Sequence, residues 1–191
     1  MSALVALTAQ NTVAVTAVHE LPSEFVVAQL EAVFDDIGVD AAKTGMLFSR
    51  RLIDTVADFL AAYRVPLVVD PVMVASSGAR LLQEDAVATY VERLFPLAAV
   101  VTGGHGEAPG DLLLDEEGEL VIAVERRPRR ATHGSGCTHS ATLAAHLARG
   151  SSLRDAARAA AAAAAAAVAN GHEELGAGEG PVDVLAVGAA R

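Results

Sequence analysis

The sequence is short of cysteine, of positive charge and of long apolar runs, and each shortage excludes a class of protein. Its single cysteine excludes an internal disulfide bond and is typical of a chain that folds in a reducing compartment. The 24 aspartate and glutamate residues outnumber the 14 lysine and arginine residues, which gives a formal net charge of -10. Because nucleic-acid surfaces need clustered positive charge, this composition predicts no nucleic-acid partner.

Membrane association is disfavoured on similar grounds. The alanine tract Ala159–Ala167 is too short and its side chains are too small to cross a bilayer. The N-terminus has no charged region followed by an apolar stretch, the pattern of a secretory signal. We therefore expect a cytoplasmic protein with no membrane partner.

What the chain does contain is the pattern of an α/β domain. A hydrophobic fraction of 52% with 20% charged residues is typical of a well-packed globular protein, and we expect one domain over residues 1–191. Strand-like and helix-like segments alternate, which predicts a mostly parallel sheet with ligands bound beyond the carboxyl ends of its strands. The predicted strands are 4–8, 41–43, 67–70, 98–102, 112–114 and 120–124; the predicted helices start at Ser23 and Ser49 or span 84–94, 138–148 and 153–170.

The segment Thr132–Thr138 (THGSGCT) runs directly into a predicted helix. Glycine permits a tight turn and a close approach to a ligand, and the first turn of a helix offers unpaired N–H groups to an anion. A thiol at a helix N-terminus is also where a reactive cysteine is found. The segment could therefore bind a phosphoryl group and place a base beside it, or it could be a packing turn with a structural cysteine.

Four segments in this order carry a family resemblance. They are ALTAQNT (6–12), KTGML (43–47), VVDPVM (68–73) and THGSGCTHSA (132–141). Together they resemble the hydroxymethylpyrimidine/phosphomethylpyrimidine kinases of thiamine biosynthesis, a branch of the ribokinase-like superfamily. The resemblance implies a ribokinase-like fold, with helices on both faces of the sheet. It also implies transfer of the γ-phosphoryl group of ATP, with Mg²⁺, first to hydroxymethylpyrimidine and then to its monophosphate.

The resemblance assigns three residues to the aminopyrimidine. Gln10 would read the edge of the ring, because a glutamine amide matches an N–H donor beside a ring-nitrogen acceptor, as it does on adenine. Met46 and Val72 would line the pyrimidine pocket with apolar contacts. The residues alone leave other readings open: Gln10 could satisfy a nearby backbone group, and Met46 could simply fill the core.

Further residues are assigned to the phosphoryl groups. Cys137 would act as the base that accepts the hydroxyl proton, and the turn Gly134, Ser135 and Gly136 would stabilise the migrating group with its N–H donors. Asp70 and Thr102 would lie on the nucleotide side, with Asp70 holding Mg²⁺ through the phosphates. Asp70 could alternatively cap the turn before Pro71.

The chain also departs from the family pattern. The glycine-rich segment expected before the first strand is absent, and a stretch that carries a glutamate and a lysine is missing between Thr102 and Gly103. Ala131 replaces the asparagine that usually precedes the THG turn. We therefore expect an incomplete ribokinase-like domain, truncated at its N-terminus and shortened near 102–103, which forms a homo-oligomer. The alternatives are an impaired remnant that binds without turnover and a pyridoxal-type vitamin kinase.

Overall fold

An antiparallel strand pair precedes a parallel sheet in the chain. The computed structural model describes residues 1–75, 77–103, 111–115, 117–123 and 129–186. Strands β1 and β2 form one sheet, β3, β4 and β5 lie in that order in a parallel sheet, and β6 and β7 form a hairpin. Their bounds are β1 Ala6–Gln10, β2 Val15–Glu20, β3 Ala42–Thr44, β4 Leu67–Val69, β5 Val100–Val101, β6 Asp111–Asp115 and β7 Gly118–Ile122.

Helices pack on both faces of the parallel sheet, as predicted. Their bounds are α1 Ser23–Asp36, α2 Arg50–Ala61, α3 Val87–Thr89, α4 Ser135–Ala148 and α5 Leu153–Ala169. Side chains alternate along a strand, so neighbouring residues of β4 enter different cores. Leu67 and Val69 face a core that contains residues of α1 and α2, while Val68 packs against α4 and α5. Within the described residues, no helix is both long enough and apolar enough to cross a membrane.

The predicted helix 84–94 is a composite of short pieces. A 3₁₀ turn (Glu84–Ala86) leads into α3, then into a π-helical stretch (Tyr90–Leu94) and a final 3₁₀ turn (Phe95–Leu97). The N–H of Phe95 donates to the carbonyl of Tyr90, five residues back. Pro96 has no N–H to continue a regular ladder, so the α-helical pattern cannot persist through this segment.

The two predicted helix starts at Ser23 and Ser49 are both present, but only Ser49 caps its helix. The side-chain oxygen of Ser49 accepts from the N–H of Leu52 at 3.3 Å, as expected for an N-cap. Helix α1 instead has Pro22 at the N-cap position, so Ser23 is its first residue. Gly38 follows the end of α1 with a φ of +80°, the left-handed conformation in which glycine commonly ends a helix.

The first strand does not belong to the parallel sheet, and that part of the sequence prediction is wrong. Strand β1 pairs antiparallel with β2, a strand that the sequence analysis missed. The cause is a tight turn in which the side-chain oxygen of Asn11 accepts from the N–H groups of Val13 and Ala14, both at 2.9 Å. Such asparagine turns reverse the chain without a helical crossover. Gln10 therefore lies at the end of a separate ribbon.

The predicted strands 112–114 and 120–124 form an antiparallel hairpin, as expected. Leu113 of β6 pairs with Leu120 of β7, in the antiparallel register expected for two alternating strands. Arg154 of α5 holds this hairpin by donating to both carboxylate oxygens of Asp115, at 2.9 and 2.6 Å. The predicted end of the second strand at Val124 and the connecting Glu116 lie outside the described residues.

Candidate active site

Helix α4 begins three residues earlier than predicted. Gly134 is its N-cap residue and has a left-handed φ of +92°, a conformation that glycine adopts without strain. The N–H and the hydroxyl of Thr138 both donate to the carbonyl of Gly134 at 2.8 Å. Ser135, Gly136 and Cys137 therefore form the first helical turn.

The N–H groups of this turn are available to a ligand. No described residue accepts a hydrogen bond from the backbone N–H of Gly136 or Cys137. Unpaired N–H groups and the positive end of the helix dipole meet at the same place, which favours an anion. The thiol of Cys137 is exposed beside them. The structure thus brings the four residues of the predicted phosphoryl site to one helix N-terminus.

Asp70 lies at the carboxyl end of β4 and contacts α4. Its side chain is buried, with 8% of the residue exposed. The hydroxyl of Ser140, which is fully buried, donates to Asp70 Oδ2 at 3.0 Å. The backbone N–H of Asp70 donates to Thr44 O at 3.2 Å and continues the sheet. The carboxylate is therefore bound to the second turn of α4 rather than to the turn that leads to Pro71.

Lys43 and Ser140 are two further polar residues at this place, and neither was predicted as a site residue. The ammonium nitrogen of Lys43 lies 3.4 Å from Ser140 Oγ, on the α4 side of the sheet. Alternation along β3 and β4 gives a signal that could have found this contact, since Lys43 pairs with Val68 of the α4 core and Asp70 is two residues further along.

Thr102 is a neighbour of Asp70 at the edge of the sheet. Its N–H donates to Val69 O at 2.8 Å, which extends β5 beside the end of β4. The two residues predicted on the nucleotide side therefore share the carboxyl edge of the parallel sheet. Val72 follows Asp70 and is half-buried.

The loop that carries Met46 is fixed from the other face. The hydroxyl of the fully buried Tyr90 donates to Gly45 O at 3.0 Å. Burial raises the pKa of Tyr90 far above its ordinary value, so its phenol remains a neutral donor. Met46, the next residue, is half-buried at the end of β3.

Gln10 is exposed at an irregularity in the β1–β2 ribbon. The register shifts between Ala9 and Gln10, where Val15 lies opposite Gln10. Such bulges redirect a side chain. The hydroxyl of Thr8 donates to Gln10 Oε1 at a long 3.4 Å. The amide nitrogen of Gln10 has no hydrogen-bond acceptor among the described residues, so the side chain can turn toward a ligand.

The residues 176–180 (GAGEG), which we call the strap, pack on the turn that follows Gln10. Thr12 accepts from the strap twice, through its hydroxyl from the N–H of Gly178 at 3.2 Å and through its carbonyl from the N–H of Glu179 at 3.1 Å. A Cβ at Gly178 would come within 1.9 Å of Thr12 O. Glycine is therefore required for this close approach.

The same strap is bound to the glycine turn before α4. The N–H of His133 donates to Gly180 O at 3.1 Å, and the hydroxyl of Thr132 donates to Glu179 Oε2 at 2.7 Å. One short segment thus connects the turn after Gln10 to the turn before Cys137. The sequence analysis missed it, although the spaced glycines at 176, 178 and 180 were a signal.

Comparison with known proteins identifies the family. A family model described as phosphomethylpyrimidine kinase matches residues 1–110 and 99–183. The chain belongs to this family. Hydroxymethylpyrimidine/phosphomethylpyrimidine kinases from Rhizobium meliloti and Streptomyces coelicolor are 39% and 40% identical to it, over 95% and 96% of this chain and 84% and 82% of the relatives.

Solved structures related to the family have the same fold. A pyridoxal kinase from Bacillus subtilis in complex with ADP superposes with a TM-score of 0.84 at 28% identity, over 98% of this chain and 86% of that one. A phosphomethylpyrimidine kinase from Clostridium difficile gives a TM-score of 0.72 at 29% identity, over 85% and 83%. A pyridoxal kinase from Staphylococcus aureus, solved with AMP-PCP, gives 0.79 at 26% identity, over 97% and 82%. The ribokinase-like fold is confirmed.

Proposed function

We propose that this protein transfers the γ-phosphoryl group of ATP to hydroxymethylpyrimidine and then to its monophosphate. The observation that carries the proposal is the meeting of three groups at one place. These are the unpaired N–H groups at the start of α4, the exposed thiol of Cys137 and the buried carboxylate of Asp70. Phosphoryl transfer depends on such positioning and electrostatic stabilisation rather than on covalent chemistry by the protein.

The start of α4 would bind the migrating group. The N–H groups of Gly136 and Cys137 would donate to phosphoryl oxygens, where negative charge is concentrated in the transition state. Cys137 would accept the proton of the attacking hydroxymethyl group, since its thiol lies on the same turn. Gly134 permits the sharp approach of the chain to this turn.

The residues present fit a magnesium ion held jointly with the nucleotide. Mg²⁺ prefers oxygen ligands and is commonly bound by one or two carboxylates together with substrate phosphates. Ser140 occupies Asp70 Oδ2, and no described residue donates to Oδ1, which leaves that oxygen for a cation. The described residues contain no group of three or more side chains that could form a metal cage. When bound, Mg²⁺ would neutralise charge on the phosphates beside Asp70 and Thr102.

The pyrimidine would be recognised at the other end of the strap. The amide of Gln10 would pair with the amino group and the adjacent ring nitrogen, and Met46 and Val72 would contact the faces of the ring.

Two further proposals concern the whole chain. We propose a shortening near 102–103, because the family model matches two stretches, 1–110 and 99–183. We also propose a homo-oligomer, because the β1–β2 ribbon exposes Leu7 and Val13.

A pyridoxal kinase is the second candidate. The B. subtilis pyridoxal kinase superposes with a higher TM-score than the C. difficile phosphomethylpyrimidine kinase, 0.84 against 0.72. Sequence identity favours the pyrimidine kinases, at 39% and 40% for the two relatives given above. A ring without an amino group beside its nitrogen would also leave part of the Gln10 amide unpaired.

Transfer of phosphate from labelled ATP tests the proposal directly. Hydroxymethylpyrimidine, its monophosphate and pyridoxal are compared as acceptors, with and without Mg²⁺. We expect transfer to both pyrimidines and little transfer to pyridoxal. A preference for pyridoxal would favour the pyridoxal kinase over the pyrimidine kinase. A second chain carries the R. meliloti segment inserted between Thr102 and Gly103. If only this longer chain transfers phosphate while the shorter one binds ligands, the impaired remnant is the correct reading.

A further inference from the structure

Lys43 is the single lysine in the sequence. The other thirteen basic residues that make up the 14 are arginines. Arginine forms the surface ion pairs, such as Arg51 with Glu20 at 3.1 Å and Arg80 with Glu84 at 3.0 Å. A chain that uses arginine everywhere else therefore carries its one lysine ammonium group in the middle of β3, where it faces α4.

The surroundings of Lys43 leave its charge available. No carboxylate among the described residues lies within 4.0 Å of Lys43 Nζ. This nitrogen donates a hydrogen bond to Ser140 Oγ at 3.4 Å. An ammonium group has three donors, so two remain for a ligand. The position is also narrow, because a Cβ added at Gly45 would lie 3.2 Å from Lys43 Nζ. A compact ammonium suits such a space better than a planar guanidinium.

Ser140 connects this cation to the proposed magnesium ligand. Its hydroxyl accepts from Lys43 and donates to Asp70 Oδ2 at 3.0 Å. The ammonium and the carboxylate therefore share a bridging hydroxyl instead of a direct ion pair. The ammonium group of Lys43 therefore remains available to an anion, and the carboxylate of Asp70 remains available to a cation. Both lie beside the unpaired N–H groups of α4.

We propose that Lys43 binds the phosphoryl groups of the nucleotide, with Ser140 as the residue that positions it against Asp70. The inference rests on the proposed kinase function and names a phosphate-binding residue for it. Two ammonium donors, two helix N–H donors and a carboxylate-bound Mg²⁺ would then surround the transferred group. Lysine is suited to this task as a point charge. Among the described residues, Lys43 would supply positive charge at the carboxyl edge of the parallel sheet.

Chemical labelling of the single lysine tests this directly. An adenosine acyl phosphate transfers its acyl group to an amine near the phosphates: the amine attacks the carbonyl, the acyl–phosphate bond breaks and the nucleotide leaves. Because Lys43 is the sole lysine, peptide mass spectrometry assigns the product, and the N-terminal amine serves as an internal control. We expect acylation of Lys43 that AMP-PCP with Mg²⁺ prevents, and N-terminal labelling that the competitor leaves unchanged.

A binding experiment on variants gives an independent measure. Lys43→Met should weaken the calorimetric Kd for Mg²⁺ and AMP-PCP by about 10- to 100-fold, the effect of one lost bond to a charged group. Its hydroxymethylpyrimidine affinity should be unchanged. Arg80→Met, which removes one charge from an exposed ion pair, is the matched control and should bind the nucleotide normally.

The outcomes separate the two proposals. If the wild-type chain binds AMP-PCP but Lys43 is acylated equally with and without it, the role of Lys43 is overturned and the kinase function is left intact. A wild-type chain that binds no nucleotide would overturn both. Should Lys43→Met fail to fold, protection of Lys43 in the wild-type chain still decides the question.

Discussion

The turn before α4 and the turn after β1 are the two ends of the proposed site, and they are held in different ways. The first is anchored to the parallel sheet as well as to the strap, since the buried Ser140 of α4 donates to Asp70 at the edge of the sheet. The second lies on an exposed ribbon, where strap N–H groups donate to the hydroxyl and the carbonyl of Thr12. Gln10, the residue that would read the ring, is itself exposed.

Under the proposed function, this difference would divide the chemistry from the selectivity. Groups that stabilise a developing charge must be fixed before the reaction, and burial beside a sheet edge fixes them. A ring-reading side chain on a ribbon can be adjusted by changing one short loop contact. Substitutions at the α4 end should therefore alter turnover, while substitutions at the ribbon end should alter which ring binds and how tightly.

The largest effect is expected at the α4 end. Cys137→Ala should lower kcat by about 10²- to 10⁴-fold, because a general base acts mainly in the transition state. Nucleotide and pyrimidine affinities, measured by calorimetry, should stay near those of the wild-type chain. Cys137→Asp restores a base at the same position and should recover part of the rate. Normal turnover in Cys137→Ala would show that the thiol only packs.

A substitution in the strap tests whether the two ends of the proposed site are independent. In Gly178→Ala the new methyl group would overlap Thr12 O, and we expect the free energy of unfolding to fall by about 1–3 kcal/mol, as in other overpacked sites. Pyrimidine affinity should fall more than nucleotide affinity, because the displaced turn follows Gln10. Ala177→Ser, an exposed neighbour, is the matched control. Equal losses for both ligands would mean that the two ends are not separable.

Substitution of Gln10 tests the ribbon end alone. Gln10→Leu should weaken hydroxymethylpyrimidine binding by about 1–3 kcal/mol, the scale of a lost paired hydrogen bond. Nucleotide affinity and Tm should remain the same, since Gln10 is exposed. Thr16→Val on the facing strand is a control of similar exposure. If Gln10→Leu binds the pyrimidine as well as the wild-type chain, another side chain reads the ring.

The smallest effect is expected away from both ends. Hydrogen bonds from Arg154 hold the pKa of Asp115 below its ordinary value. The charged pair therefore stabilises the folded chain above the unfolded pKa, and the contribution is lost as pH falls through the lowered pKa of the folded state. Arg154→Met should lower Tm at pH 7, and this difference should shrink on acidification. Thermal unfolding across pH would test it; ligand affinities should not change.

The strand positions were predicted better at the phosphoryl end than at the ribbon end. Asp70 and Thr102, which the resemblance assigns to the nucleotide side, lie at the ends of neighbouring parallel strands, where the sequence pattern places them. Gln10 was expected at the end of a strand of the same sheet, but Asn11 turns the chain back into an antiparallel ribbon. The early start of α4 was missed because glycine at position 136 disfavours a helix interior, whereas the first turn tolerates it.

The strap could not be predicted from local pattern at all. Its contacts to Thr12 are made by the backbone N–H groups of Gly178 and Glu179. Almost every residue type has such a group, so the sequence does not indicate which ones form these bonds. The glycines show that something approaches closely, but they do not say what. Lys43 and Ser140 are an intermediate case, since strand alternation predicts the face of Lys43 without naming its partner on α4.

The strap has a consequence for how the protein is made. Gly178 and Thr12 are separated by 166 positions in the sequence, so their contact belongs to the slowest class to form. During synthesis the ribbon leaves the ribosome long before the residues that fasten it, and it lacks its contacts to the strap until nearly the whole chain has emerged. The turn after Gln10 is therefore the last part of the proposed site to form, and a chain that stops short of the strap would expose the unfastened ribbon to chaperones and proteases.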